Sequence, residues 1–377
     1  MPNEQIPITP EVLRWARERA RFSIEEARVD FRNIEAWEQG KSFPTYPQLE
    51  RLSEAFKVPV AVFFFPAPPD VPPIRESFRT LPDVQFELLP REVRFLLRKA
   101  KAFQINLSEL NDGHNPADRF ILRDLRFAPD MDIPEMARKV RAYLGVPLDV
   151  QTSWIDSDAA FDSWREVLEA RGVAIFKDAF RNDFYSGFCL YDEVFPLIYV
   201  NNSVKTRQIF TLFHELAHLL FHTSGINTLS DEPDEELAMP DKQVEVVCNR
   251  FAAEFLVPAE QFDADTVGLP PTEETATFLA NRYHVSRESM FRRFLDRGDI
   301  SVEEYQRAAD RWAGQRQPRT GGNHYWTKIA YLGTNYVNLA FSRYYQNRIS
   351  EPELAEYLDT KVKNLSKLES YFARKVV

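Results

Sequence analysis

The chain is short of cysteine, of histidine and of long apolar runs. Its 377 residues hold only two cysteines, Cys189 and Cys248, too few for a disulfide framework; a reducing cytoplasm fits best. No apolar run approaches the roughly 20 residues of a membrane-spanning helix. The longest candidate, 58–66, is too short, so no membrane partner is expected. The opening Met-Pro-Asn-Glu-Gln lacks the basic and apolar regions of a signal peptide. Basic residues are outnumbered, 47 Lys and Arg against 57 Asp and Glu. A net charge of −10 argues against the whole chain being a nonspecific nucleic-acid binder, while leaving room for one local DNA-binding face. Hydrophobic content of 44% and charged content of 28% describe an ordinary soluble protein, long enough for two or three domains.

With only six histidines, a chance His-Glu-x-x-His is improbable, yet His214, Glu215 and His218 spell one. Positions i and i+4 of a helix stand one turn apart on the same face, so both imidazoles can reach one metal ion. The segment Phe210 to His222 supports a helix, because Leu212, Phe213, Leu216, Ala217, Leu219 and Leu220 are apolar and no Pro or Gly interrupts. A helix apolar nearly all round is buried, and buried imidazoles need partners; a metal supplies them. Glu215, beside a ligand, is placed to act on water without binding the ion. His222 lies on the same helical face, but about 12 Å from His214 at 1.5 Å per residue. It is therefore packing, a support for the ligands, or a donor toward substrate.

Zinc needs a third protein ligand and an open position. Glu245 is the best candidate, on a helix that Pro258 ends and that Ala252 and Ala253 allow to approach another closely. Glu254 and the acidic run Asp231 to Glu236 are its rivals. Two blocks, Phe-Thr-Leu-Phe-His-Glu-Leu-Ala-His-Leu-Leu-Phe-His and Glu-x-x-Cys-Asn-Arg-Phe-Ala-Ala-Glu-Phe-Leu-Val-Pro, resemble the ImmA/IrrE metallopeptidases. The resemblance implies His214, His218 and Glu245 as ligands and Glu215 as general base, with Cys248 replacing an expected Ala. Zinc is the implied metal; manganese also suits two histidines and a carboxylate. His222 and Tyr185 are candidates for a second oxyanion donor.

Residues 1–66 carry short helical patterns: Pro10 after Thr9 opens one helix, and Ser23-Ile-Glu-Glu is a capping box opening the next. Leu13-Arg-Trp-Ala-Arg-Glu-Arg, Ser23-Ile-Glu-Glu-Ala, Trp37-Glu-Gln-Gly-Lys-x-x-Pro and Leu49-Glu-Arg-Leu resemble an XRE (lambda-repressor-like) helix-turn-helix. Between Ala27 and Trp37 the chain is shorter than that pattern, where the recognition helix would begin to read bases. Only weak, salt-sensitive DNA binding is expected, through phosphate contacts from Arg17, Arg28, Arg32 and Lys41.

The expected fold is α+β and mostly helical, a small sheet packed on the His-Glu-x-x-His helix in a zincin-like core. Helical regions flank it. A proline-rich linker and helical connector (67–132) leads to the metallopeptidase domain (133–300) and a C-terminal helical region (301–377). Strands are expected at Val173-Ala-Ile-Phe, Gly187-Phe-Cys-Leu-Tyr and Pro196-Leu-Ile-Tyr-Val-Asn-Asn, where a sheet edge can hold an extended peptide. Residues 276–294 look like a second helix-turn-helix, read here as the closing helical pair of the peptidase domain. The aromatic tail after Tyr325 reads as core first and partner surface second. The resemblance implies a narrow protein substrate such as a repressor. The rival reading is an antitoxin that binds a cognate toxin, with a mainly structural metal site.

Overall fold

The computed structural model describes residues 5–20, 22–56, 58–69, 89–128, 130–182, 184–223, 226–228, 239–314 and 322–376. The later part of the proline-rich run, the acidic run 231–236 and the basic break 315–321 lie outside the described residues. The chain divides into two compact units, Met1–Ser77 and Phe78–Val377. The boundaries expected at 132 and 300 thus fall inside the second unit. Among the described residues no helix is long and apolar enough to cross a membrane.

In the first unit, α1 (Pro10–Arg19), α2 (Ile24–Asp30), α3 (Ile34–Glu38) and α4 (Tyr46–Phe56) precede a 3-10 turn, Val60–Phe64. Leu13, Ala16, Ile34, Trp37, Leu49, Leu52, Phe56 and Phe63 form its core. Ser23 and Glu26 make the capping box reciprocally. Thr9 does not cap α1; its hydroxyl donates to the Phe65 carbonyl at 2.6 Å, tying the end of the unit to its start. At five residues α3 is barely more than one turn.

Arg17 is a correction to the expected phosphate contacts. It is buried, and its Nε donates to Glu38 Oε1 at 2.6 Å while Nη1 donates to the Phe22 carbonyl at 2.8 Å. An arginine spent on a buried carboxylate cannot also reach a phosphate, and removing either partner of such a pair costs about 3–5 kcal/mol. Arg28 is paired with Glu35 at the surface. Arg32 and Lys41 are exposed.

The second unit begins with α5 (Arg91–Leu110), whose stripe Val93, Leu96, Leu97, Ala100 and Phe103 is buried as its spacing predicts. A short α6 (Ile121–Asp124) follows, then α7 (Ile133–Leu144), α8 (Leu148–Ser153) and α9 (Ser157–Glu169). Gly172 turns the chain at φ +85° into β1 (Ala174–Asp178); a Cβ there would meet Phe120 at 2.6 Å. After β1 come β2 (Tyr185–Leu190) and β3 (Leu197–Asn201), then α10 (Lys205–Leu220) and β4 (Ile226–Thr228). Sheet order is β1-β3-β2-β4, with β1 parallel to β3 and the other pairs antiparallel.

Register assigns the two faces of the sheet. Ile175, Ile198 and Cys189 align across β1, β3 and β2, and all belong to the main core with α9 and α10. One residue on, Phe176, Tyr199 and Phe188 align on the opposite face. There Phe103 of α5 stacks on Phe176 at 4.4 Å.

The rest is helical: α11 (Met239–Leu256), α12 (Ala259–Thr266), α13 (Glu273–Tyr283), α14 (Arg287–Arg297) and α15 (Val302–Gly314). The tail is α16 (His324–Leu332), α17 (Thr334–Tyr345), α18 (Glu351–Tyr357) and α19 (Leu365–Val376). Leu279, Tyr283, Met290, Phe291 and Phe294 of α13 and α14 sit in the main core. Their arginines serve the fold: Arg293 donates to the Ala253 carbonyl at 2.9 Å, and Arg292 pairs with Asp296 at 3.0 Å. The pair closes the domain, as read from the sequence.

The tail is core in the same sense. Tyr336 is buried edge-on against Phe103 and Phe176, at 5.6 and 5.1 Å, and its hydroxyl donates to the Tyr357 carbonyl at 3.0 Å. Arg165 donates to the Ala330 carbonyl at 2.8 Å, holding α16 to α9. A chain stopped after Arg319 strips the aromatic face of the sheet. It is expected to aggregate or to unfold at clearly lower denaturant than the full chain, read by circular dichroism during urea titration.

Candidate metal centre

The centre is built on α10, which descends into the core from the end of β3. Every residue from Thr211 to Leu220 is buried, so the helix has no solvent face over its last turns. It can press onto β2 because Gly187 has no side chain. A Cβ there would lie 2.5 Å from Thr211 Cγ2 and 2.9 Å from the Tyr199 carbonyl oxygen. On the other side α11 packs along α10, with Cys248, Phe251, Ala252 and Phe255 in the shared core. Phe213 and Phe255 stack across the pair at 4.1 Å.

This packing brings three ligand side chains together. His214 Nε2 lies 3.2 Å from Glu245 Oε2, His218 Nε2 lies 3.2 Å from Glu245 Oε1, and the two Nε2 atoms are 3.2 Å apart. A tetrahedral ion with bonds of about 2.0 Å has ligand atoms about 3.3 Å apart; the two Nε2 atoms match that spacing, each faces its own oxygen of Glu245, and one ligand atom from each residue lies within 4.8 Å of the others. Two imidazole nitrogens and a carboxylate oxygen are a donor set suited to zinc, with the fourth direction left over. Among the described residues, His214, His218 and Glu245 are the group that could hold a metal ion.

The outer nitrogens of the rings have partners too. Asn249, one turn along α11 from Glu245, places Oδ1 2.8 Å from His214 Nδ1. Thr223 Oγ1 lies 3.4 Å from His218 Nδ1 and 3.0 Å from the His218 carbonyl, to which its hydroxyl donates. An acceptor at each Nδ1 favours the tautomer whose Nε2 lone pair faces the third ligand. Burial alone would raise the Glu245 carboxyl's pKa, but the adjacent His218 and His214 rings outweigh it and hold the carboxyl well below the usual carboxylate range. Glu215 is fully buried in the same turn, close enough to help push the Cys248 thiol upward, after burial itself and Glu245.

The remaining expected site residues stand at the ends of elements. His222 does not continue the histidine face, because α10 ends at Leu220 and His222 takes a left-handed φ of 59°. Its ring stacks on Tyr191 at 5.0 Å. Tyr185 opens β2, paired with Thr228 of β4 and edge-on to Phe184 at 5.1 Å. Glu254 accepts from the Ala259 amide at 3.2 Å, capping α12 rather than joining the histidines. Asn249 and Thr223 were not singled out as ring partners; the signal for Asn249 is its i+4 spacing from Glu245.

Residues 168–295 match the family model of the IrrE N-terminal-like domain, peptidase family M78. That stretch runs from the end of α9 through α14 and contains every member of the cluster. The radiation response metalloprotease IrrE of Deinococcus deserti is 38% identical over 101 residues, 26% of this chain. The chain spans 36% of the length of that relative. These likenesses support a metallopeptidase-type function. Removing the Asn249 acceptor tests the geometry directly. Asn249→Ala should leave the fold intact but weaken zinc binding about 10–100-fold, measured by competition with a chromophoric chelator. Residues 168–295 thus carry an M78-type, IrrE N-terminal-like domain with a candidate His–His–Glu metal centre.

Proposed function

We propose that the chain is a zinc-dependent endopeptidase that hydrolyses a peptide bond in one specific protein, a repressor-like regulator. The observation that carries this reading is the convergence of His214, His218 and Glu245, each imidazole 3.2 Å from one oxygen of the carboxylate, with Glu215 buried one residue from the first ligand. Held by those three side chains, zinc supplies Lewis acidity, polarising a carbonyl oxygen and making water a stronger acid. Manganese would serve the same donor set less typically.

The chain's own residues do the rest. Glu215 takes a proton from the attacking water as its oxygen bonds to the carbonyl carbon. It returns that proton to the amine nitrogen as the C–N bond breaks. Asn249 and Thr223 keep the two imidazoles from turning, so that neither competes for the proton. Tyr185 is the sequence-derived candidate for a second donor to the oxyanion. The edge strand β4 offers backbone groups to an extended substrate, the usual way a sheet edge binds a peptide.

Restricted specificity rests on the likeness to M78 peptidases and on a first unit whose segments resemble an XRE domain. That unit has exposed Arg32 and Lys41 but only a five-residue α3, which favours docking over base reading. An antitoxin-like role would use the same surfaces without turnover, and Glu215 separates the two. Glu215→Gln should retain zinc and abolish cleavage of a co-expressed repressor, followed by gel and mass spectrometry. Undiminished cleavage in that variant, or a wild type that holds zinc and a partner but never cuts it, would overturn the peptidase reading.

A further inference from the structure

A second polar cluster of the molecule lies outside the metal centre. A cavity of about 340 Å³ opens where the ends of β1 and β3 meet α5, α16 and the turn after α18. That is at the small end of the roughly 300–1,000 Å³ typical of ligand pockets. Five charged side chains line it: Lys99, Asp178, Arg181, Lys328 and Asp359. Lys177 also borders it, but its ammonium lies over the Phe161 ring at 4.7 Å.

Counting donors and acceptors decides what the cavity can take. Lys99 Nζ donates to Asp178 Oδ2 at 2.7 Å and pairs with Asp359 Oδ2 at 2.8 Å. Lys328 Nζ donates to Asp359 Oδ2 and to the Asp359 carbonyl, both at 2.7 Å. Asp178 also accepts from the Tyr199 hydroxyl at 3.3 Å and the Ala179 amide at 2.8 Å. Both carboxylates are thus paired with ammonium groups, Asp359 through Oδ2, whereas an ammonium has three N–H groups and each lysine keeps one. Arg181 brings five more, and no described carboxylate lies within ion-pairing distance of it. His324 and Thr327, in the first turns of α16, add the positive end of that helix.

As a structural feature, the Lys–Asp network clamps the tail to the sheet. A clamp alone needs neither the cavity nor the third cation. We propose that this cavity binds a phosphate group, free or as the monoester of a small metabolite, between Lys99, Lys328 and Arg181. Three cationic donors arriving from three elements match the three terminal oxygens of a phosphate monoester, where a carboxylate offers two. Burial would lower the Lys99 pKa, but Asp178 and Asp359 outweigh it and raise it, so the ammonium stays charged.

The test is calorimetric titration of the full chain with AMP, inorganic phosphate and citrate at physiological salt. At least one phosphate compound should bind saturably, and more tightly than citrate. AMP binding tighter than phosphate identifies a monoester site; equal affinity identifies a free-phosphate site. Arg181 has a left-handed φ of 53°, which Asn tolerates, so Arg181→Asn removes the charge without straining the turn. Binding should fall at least tenfold in that variant and recover in part in Arg181→Lys. Absence of saturable binding by AMP and phosphate, tighter binding of citrate, or full affinity in Arg181→Asn would each overturn the proposal.

Discussion

Three polar side chains brought together in a largely apolar core, with ligand atoms within 4.8 Å of one another, set the terms for the second unit. Two imidazoles and a carboxylate lose their water on folding and must find partners in one another, in Asn249 and Thr223, or in an ion. That arrangement requires α10 and α11 to lie side by side without slack. Gly187 lets α10 settle on the sheet, and the stacked Phe213 and Phe255 fix α11 against it. A shift of one residue in either helix would leave two buried histidines facing hydrocarbon.

The sheet is the platform for this pairing, and it is covered on both faces. Its Ile175–Ile198–Cys189 face carries α10, while its Phe176–Tyr199–Phe188 face is closed by α5 and the C-terminal helices. The tail therefore covers the face of the sheet opposite the metal-bearing helix. Arg165 and the Lys99–Asp178–Asp359–Lys328 network make that closure polar at its rim. The aromatic density of the tail thus has a use in packing.

Much of this was legible in the sequence, for reasons that differ by element. The His-Glu-x-x-His helix and the stripe of α5 follow from periodicity, and Glu245 from one amphipathic face with small residues beside it. The three central strands follow from short apolar runs bounded by Gly172, Pro196 and polar turns. His222 leaves the histidine face because helical spacing does not reveal where a helix stops; α10 ends at Leu220, and His222 packs on Tyr191, one of the roles its position allows. Arg17 was misread because a basic residue on an amphipathic helix looks solvent-facing until its acid, Glu38, is brought in from 21 residues away. The short β4 has no apolar signature and emerged only as a partner for β2. Long-range pairing decided the last two, and a local pattern carries no record of it.

The central claim is that His214, His218 and Glu245 form one metal site across two helices. Metal content of the purified full chain, by mass spectrometry beside a Glu245→Ala variant of equal helicity, tests it most directly. The account predicts close to one zinc ion per chain in the wild type and loss of most of it in Glu245→Ala, because three protein ligands leave none to spare. Full zinc occupancy in Glu245→Ala would contradict it and move the third ligand elsewhere.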